Sequence, residues 1–283
     1  MVALAVQTEL VLTDWRRAIT HEGAGVDESK VPKVQRLAAE LRDKIRRGVY
    51  PPGSPLPKVR DLQEAEGVAF QTARDVYKVL EDEGLIFSRR GEGTFVSPIL
   101  GKIHRDGTGR YIKAAREEDG ARGAFASEIA RLGMTPYSET VISRLKPPAR
   151  VAKILGTHHA AKVLVRARTM RANETAVQVA TSYFPGDVAF GTQLEEQDTG
   201  EGGSKSRLAE AGHAQVRIRE EIDVRTPTKD EAEALNIPAS RSIYEITHVG
   251  LTAEGRAVEV CIHILPTTLW SLSYEWPIDQ PEI

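Results

Sequence analysis

The chain has 283 residues, a formal net charge of −2 and 41% hydrophobic side chains, enough for two ordinary cores at about 100–200 residues per domain. Its one cysteine, Cys261, excludes an intramolecular disulfide and a thiolate zinc cluster, and no uncharged apolar run reaches the ~18 residues a membrane span needs. Glu9 interrupts the apolar start and no basic stretch precedes it, so a signal peptide is not expected and the cytoplasm is the expected compartment.

Residues 1–30 show no period and contain a Gly- and acid-rich stretch over 21–29, which reads as a mobile N-terminal arm. Over 34–47 the apolar residues at 34, 37, 38, 41 and 45 form one helical face, stopped at Gly48 and followed by the rigid turn Tyr50-Pro51-Pro52-Gly53. A short second helix over 57–66 turns Val59, Leu62 and Ala65 inward and breaks at Gly67. A third over 71–83 turns in Ala73, Val76, Tyr77 and Leu80 and is capped by Gly84. Two short strands follow, Leu85-Ile86-Phe87 and Thr94-Phe95-Val96, around a glycine-bracketed turn entered through Arg89 and Arg90.

Three helices and a basic hairpin over 31–98 are the layout of a winged helix-turn-helix, which reads DNA. The segment holds twelve Lys and Arg against ten Asp and Glu, a surplus that permits DNA binding without requiring it. In such a domain the start of the third helix reaches base edges, here Phe70, Gln71, Thr72 and Arg74. Arg74 can fork onto guanine and Gln71 can pair with adenine. Lys78, one turn on, and Arg60, on the second helix, are placed for phosphates. Arg89, Arg90 and Gly93 form the wing, where a glycine tip lets backbone approach a phosphate or the minor groove.

Residues 99–121, with Gly101, Gly107, Gly109 and Gly120, read as a flexible linker. A second domain over 122–281 mixes helices expected at 125–132, 148–155, 204–211 and 228–235 with strands at 137–145, 163–171, 176–183, 215–224, 242–250 and 257–265. Strands this close in sequence predict an α+β domain, an antiparallel sheet with helices on one side. No internal repeat is evident.

Leu56-Pro57-Lys58-Val59-Arg60-Asp61-Leu62, Gly67-Val68 with Thr72-Ala73-Arg74, Leu80-Glu81-Asp82-Glu83-Gly84-Leu85-Ile86 and Arg90-Gly91-Glu92-Gly93-Thr94-Phe95-Val96 resemble the GntR family of bacterial transcriptional regulators in order and spacing. The chain departs from that family at Ala69-Phe70, where Ser-Arg is usual, and at Val59, where glutamate is usual. Alanine forgoes roughly 1 kcal/mol of helix capping, and Phe70 offers a thymine methyl an apolar partner in place of a hydrogen bond. Downstream, residues 125–133 and 163–171, Thr181-Ser182-Tyr183-Phe184-Pro185 and Gly255-Arg256-Ala257-Val258-Glu259-Val260 are similar to the UTRA domain of the HutC subfamily, whose fold resembles chorismate lyase.

The resemblance implies a homodimer that binds double-stranded DNA at an inverted repeat and responds to a small effector, often anionic, held between the sheet and its edge helices. It implies a repressor rather than an enzyme. Arg166 and Arg168 alternate on one strand face with Arg171 on the other, and guanidinium forks suit phosphate or carboxylate. Ser204 opens a Gly-Gly-Ser helix start that favours an anion. Tyr183 and Glu259 match positions near the family's pocket. Relatives that bind amino-sugar phosphates carry a glutamate where this chain has Gln178 to Ala180.

Seven histidines include His158-His159, whose adjacent side chains are expected to diverge, and His213, His248 and His263, expected to be structural or on the surface. Neither a metal nor a cofactor is expected, since no phosphate loop, nucleophile elbow or paired-histidine motif occurs. Two rival readings remain. One is a constitutive DNA-binding repressor whose second domain only dimerises; the other is an enzyme acting on a small acid.

Overall fold

The computed structural model describes residues 32–89, 91–112, 114 and 123–276. The proposed arm over 1–30, Arg90, linker positions 113 and 115–121, and position 122 lie outside the described residues. The chain divides into two units: the first ends at Val96, and the second begins at Ser97 and also takes in residues 82–84.

The first unit is the expected winged helix. Helices α1 (Lys33–Arg46), α2 (Val59–Glu66) and α3 (Phe70–Asp82) bury the predicted stripes Leu37, Ala38, Leu41 and Ile45, then Leu62, then Ala73, Val76, Tyr77 and Leu80. Gly67 ends α2 in a left-handed conformation, φ 56°, which suits glycine and keeps the turn into α3 tight. The Tyr77 hydroxyl donates to the Pro57 carbonyl at 2.5 Å and ties α3 to the entry of α2. The wing is the antiparallel pair β1 (Ile86–Arg89) and β2 (Gly93–Val96), in register at Phe87–Phe95 and Arg89–Gly93. Residues 54–56 run along β2, with Leu56 N–H donating to Thr94 and Val96 N–H to Ser54.

The second unit carries β3 (Ile103–Asp106), α4 (Ala124–Ala130), β4 (Pro136–Leu145), α5 (Ala149–Leu155), β5 (Val163–Ala172), β6 (Thr175–Pro185), α6 (Gly186–Ala189), α7 (Gly203–Glu210), β7 (Arg217–Arg225), α8 (Lys229–Leu235), β8 (Ile243–Leu251), β9 (Ala257–Pro266) and β10 (Trp270–Ser273). Six strands form one antiparallel sheet in the order β4-β5-β6-β9-β8-β7. On one face, Val151 and Leu155 of α5 pack with Val163, Val165, Val249 and Val260, and Leu235 of α8 packs with Ile243 and Ile264. On the other, Ile103 and Trp270 pack with Phe125, Ile129, Val177 and Ala180.

Three expectations are corrected. Helices lie on both faces of the sheet rather than one, α5 and α8 on one and α4 on the other. Residues 99–112 are built into the unit rather than serving as a loose linker: β3 pairs in parallel with β10, from Ile103 opposite Trp270 to Asp106 opposite Ser273. Gly107 permits this closure, because a Cβ there would lie 2.0 Å from the Tyr274 ring. An internal repeat also exists. The run β4-α5-β5-β6 recurs as β7-α8-β8-β9, and the sheet order is symmetric about the β6–β9 seam. Both helices end on a left-handed residue, Gly156 and Asn236, ahead of the hairpins that begin at Val163 and Ile243.

Candidate DNA interface and ligand cavity

The first-turn side chains of α3 reach solvent as the pattern predicts. Phe70 is 45% exposed at the start of α3. Gln71, Arg74 and Lys78 are exposed and Thr72 is half-buried. Gln71 donates to Asp75 Oδ1 at 2.8 Å, an i,i+4 contact along the helix. Ala69, ahead of α3, has no side-chain oxygen to cap it. Arg60 is exposed on α2. On the wing, the Arg89 guanidinium lies over the Phe87 and Phe95 rings, 5.3 and 5.4 Å from their centres, and pairs with Glu92 at 3.3 Å. Gly93 is exposed at φ 124°. Arg90 lies outside the described residues.

The second unit contains a cavity of about 670 Å3, open mouth included, on the sheet face opposite α5 and α8. Its floor is Arg168 and Met170 of β5, Gln178 of β6, His248 of β8, and Glu259, Cys261 and His263 of β9. Its walls are Arg110 and Tyr111, Phe125 of α4, Thr199, and the start of α7 at Gly203, Ser204 and Lys205. Three cationic side chains, Arg110, Arg168 and Lys205, face one carboxylate, Glu259. Arg168 and His248 hold equivalent places in the two repeats, each five residues after its hairpin's first residue.

A buried polar network organises this space. Glu259 accepts from Ser182 Oγ at 3.0 Å and from Gln215 Nε2 at 2.9 Å, with the Lys205 ammonium 3.7 Å away. Burial alone would raise its pKa; Lys205, His248, Gln215 and Arg168 pull it down to about 2. The other Ser182 contact is Arg168 Nη2, which donates to its Oγ at 2.6 Å. Gly250 makes room for Gln215, since a Cβ there would meet the amide at 2.3 Å.

Lys205 also contacts His248 Nε2 at 3.1 Å. An ammonium only donates, so Nε2 accepts and Nδ1 carries the proton, which points at Glu220 Oε1, 3.1 Å away. Burial and Lys205 push the His248 pKa down to about 4, so the ring is neutral near pH 7. Glu220 further accepts from Tyr111 at 2.6 Å, Tyr274 at 2.8 Å and both terminal nitrogens of Arg105, which is 0% exposed. Burial opposes the charge on Glu220, but the bonds from His248 and Arg105 hold its carboxyl far below the usual range. The network therefore pins the 103–111 segment to the sheet and sets the cavity's edge.

Of the six candidates for effector contact, Arg168, Ser204 and Glu259 line this cavity and three do not. Arg166 is buried and donates to the carbonyls of Leu194, Glu196 and Gln197, so it clamps the loop that leads to Thr199. Burial and neighbouring Arg168 lower its pKa to about 10. Arg171 lies past a bulge between Met170 and Arg171 and binds Glu139 and the Glu174 carbonyl. Tyr183 stands opposite Val260 and packs with the α5 cluster, on the far face of the sheet.

One histidine expectation needs correction: the His158 and His159 rings lie 4.2 Å apart rather than diverging. His248 and His263 are bonded within the buried polar groups of the cavity floor. Sequence reading also missed Arg110, Tyr111, Lys205 and Gln215. Lys205 adjoins Ser204, and that adjacency was the available signal; the other three had none short of the fold. Among the described residues no group of three His, Cys, Asp or Glu is placed to hold a metal, and no helix is long and apolar enough to cross a membrane.

Comparison with known proteins matches residues 33–96 to the "Bacterial regulatory proteins, gntR family" and residues 131–269 to the "UTRA domain". An HTH-type transcriptional regulator of Streptomyces coelicolor is 34% identical over 256 residues, 88% of this chain and 94% of that one. The HTH-type transcriptional repressor NagR of Bacillus subtilis is 24% identical over 236 residues, 82% of this chain and 89% of the relative. The crystal structure of PhnF from Mycobacterium smegmatis superposes with a TM-score of 0.55 at 22% identity, covering 86% of this chain and 99% of that one, a likeness of fold. The chain is a DNA-binding transcriptional regulator, not an enzyme, and belongs to the GntR family with a UTRA domain behind its winged helix.

Proposed function

We propose that the chain is a homodimeric repressor of the HutC type, working in the cytoplasm, whose grip on an inverted-repeat operator is set by an anionic metabolite in the UTRA cavity. The observation that carries this reading is the cavity lining, three cations against one carboxylate at the foot of α7. Helix N–H groups and guanidinium forks both favour phosphate or carboxylate. Glu259 and Gln178 accept hydrogen bonds from hydroxyl or amide groups on the rest of the ligand.

Base reading falls to Phe70, Gln71, Thr72 and Arg74, with Arg60, Lys78, Arg89, Arg90 and Gly93 on the backbone. Self-association is supported by the two sheet edges. Tyr137, Val141 and Leu145 stand exposed along β4, and Ile222 and Val224 along β7. Unpaired edges of this kind invite a second chain. The repressor polarity follows the relative from Bacillus subtilis. A DNA selection with the full chain, light scattering, and anisotropy titrations of the selected DNA with phosphorylated and carboxylated metabolites test the reading. It fails if the selected site is a single half-site bound by a monomer, or if neutral ligands alone alter DNA binding.

A further inference from the structure

Among the described residues of the second unit, Arg110 has two buried side-chain nitrogens without a hydrogen-bond partner. It is 8% exposed, lines the cavity, and sits between the regions matched to the two families, at 33–96 and 131–269. Its neighbour Arg105 gives its terminal nitrogens to Glu220 and two tyrosines. Arg110 does not repeat that pattern. Nη2 makes one long hydrogen bond, 3.3 Å, to Glu128 Oε2, while Nε faces Glu128 Oε1 at 3.3 Å without a hydrogen bond. Arg110 Nε and Nη1 and Glu128 Oε1 are all buried with no hydrogen-bond partner. Buried guanidinium N–H groups are costly to leave unmade, so native proteins seldom do so without a reason. Glu128 is itself a poor counter-ion: burial raises its pKa despite Arg110, weakening its negative charge.

We propose that Arg110 is an anion-binding residue of the effector cavity and that Glu128 is a placeholder, holding the guanidinium until the ligand's phosphate or carboxylate takes the open N–H groups. This deepens the effector reading and rests on it. The anion would lie in the wall that Arg110 shares with Lys205 and the first turn of α7. Because Arg110 stands just beyond β3, occupancy is registered on the 103–112 segment near the start of the second unit rather than on the sheet alone.

The test uses the full chain with inorganic phosphate and sulfate as probes, read by thermal stability and by amide hydrogen exchange over residues 103–112. Wild type should be stabilised by both anions, with slower exchange in that segment. Arg110→Gln should weaken phosphate binding about tenfold and abolish the exchange effect. Arg110→Lys should keep part of the affinity, and Glu128→Gln should tighten binding several-fold by removing the competitor. If Arg110→Gln does not fold, the lysine variant and Glu128→Gln decide the matter. Arg110 variants that bind phosphate like wild type, or a Glu128→Gln chain that binds it more weakly, overturn the proposal. A wild type indifferent to both anions also overturns it, while a metabolite that still stabilises the chain would leave the cavity's effector role standing. Loss of phosphate binding in Arg168→Ala but not in Arg110→Gln would keep the anionic cavity and remove Arg110 from it.

Discussion

Replacing Arg105 by methionine tests how firmly the segment after the winged helix is built into the UTRA unit. Arg105 is 0% exposed and its guanidinium is the main counter-charge to Glu220, through bonds of 3.0 and 2.5 Å. Removing one partner of a buried ion pair costs about 3–5 kcal/mol, because the other charge stays buried. Glu220 keeps three other donors, Tyr111, Tyr274 and His248, so the low end applies, about 3 kcal/mol. Trp270 is a built-in reporter: it is fully buried on β10, the strand that pairs with β3, and its indole N–H donates to the Val177 carbonyl at 2.7 Å. At a slope of about 2 kcal/mol/M, the urea midpoint followed by tryptophan fluorescence should fall by roughly 1.5 M. Arg105→Met combined with Glu220→Gln should cost clearly less than the sum of the two, since no buried charge is then left bare. A single variant that loses under about 1 kcal/mol, the scale of an exposed pair, would refute the claim that this pair locks the segment.

Further outcomes follow from the same geometry. Arg74→Ala should remove about 1–3 kcal/mol of operator binding and relax specificity at one base pair, whereas Lys78→Ala should weaken all sequences alike and flatten the salt dependence, both read by gel-shift titration. Ala69→Ser, by supplying the missing cap oxygen to α3, should raise stability by about 1 kcal/mol in a thermal melt, and an unchanged melt would show the helix start is not limiting. Glu220 and Glu259 lie below their usual 4.5 and His248 at about 4 lies below its usual 6.5, so on acidification the unfolded chain binds protons before the folded one. Stability should therefore be full above about pH 6.5, fall toward pH 4 as His248 resists protonation, and fall further as the carboxylates titrate. A melting temperature flat between pH 7 and 4.5 would contradict the network.

The winged helix was legible almost residue for residue, because its signals are local: a 3.6-residue apolar period in each helix, glycine at each stop, and two short strands around a glycine turn. The main sheet was legible for a similar reason, since alternating strands bounded by turns announce themselves. The internal repeat was harder to see, because identity at its 80-residue offset is confined to a few positions such as Pro147 and Pro227, Ala152 and Ala232, and Leu155 and Leu235, while Arg168 and His248 occupy one structural position with unlike chemistry. The segment over 99–112 was misread because its glycines and charges look like a linker, while its strand is stabilised by a partner at 270–273, far away in sequence. The effector candidates divided by face. Strand alternation put Arg166 and Arg168 together correctly, but which arginine meets the cavity and which clamps a loop depends on residues 194–197, and no local pattern carries that.

Anisotropy titration of the selected operator, with and without a ligand that raises the melting temperature, tests the central claim most directly. Linkage requires that a ligand which favours one arrangement of the protein change DNA affinity whenever DNA also binds the two arrangements unequally. The account predicts that at least one phosphorylated or carboxylated metabolite shifts the operator Kd about tenfold, a coupling of about 1.4 kcal/mol, and that Arg168→Ala removes the shift while ligand-free DNA binding stays intact. A metabolite that binds the cavity, stabilises the chain and leaves operator affinity unchanged would contradict it, because binding in the UTRA unit would then be uncoupled from the winged helix.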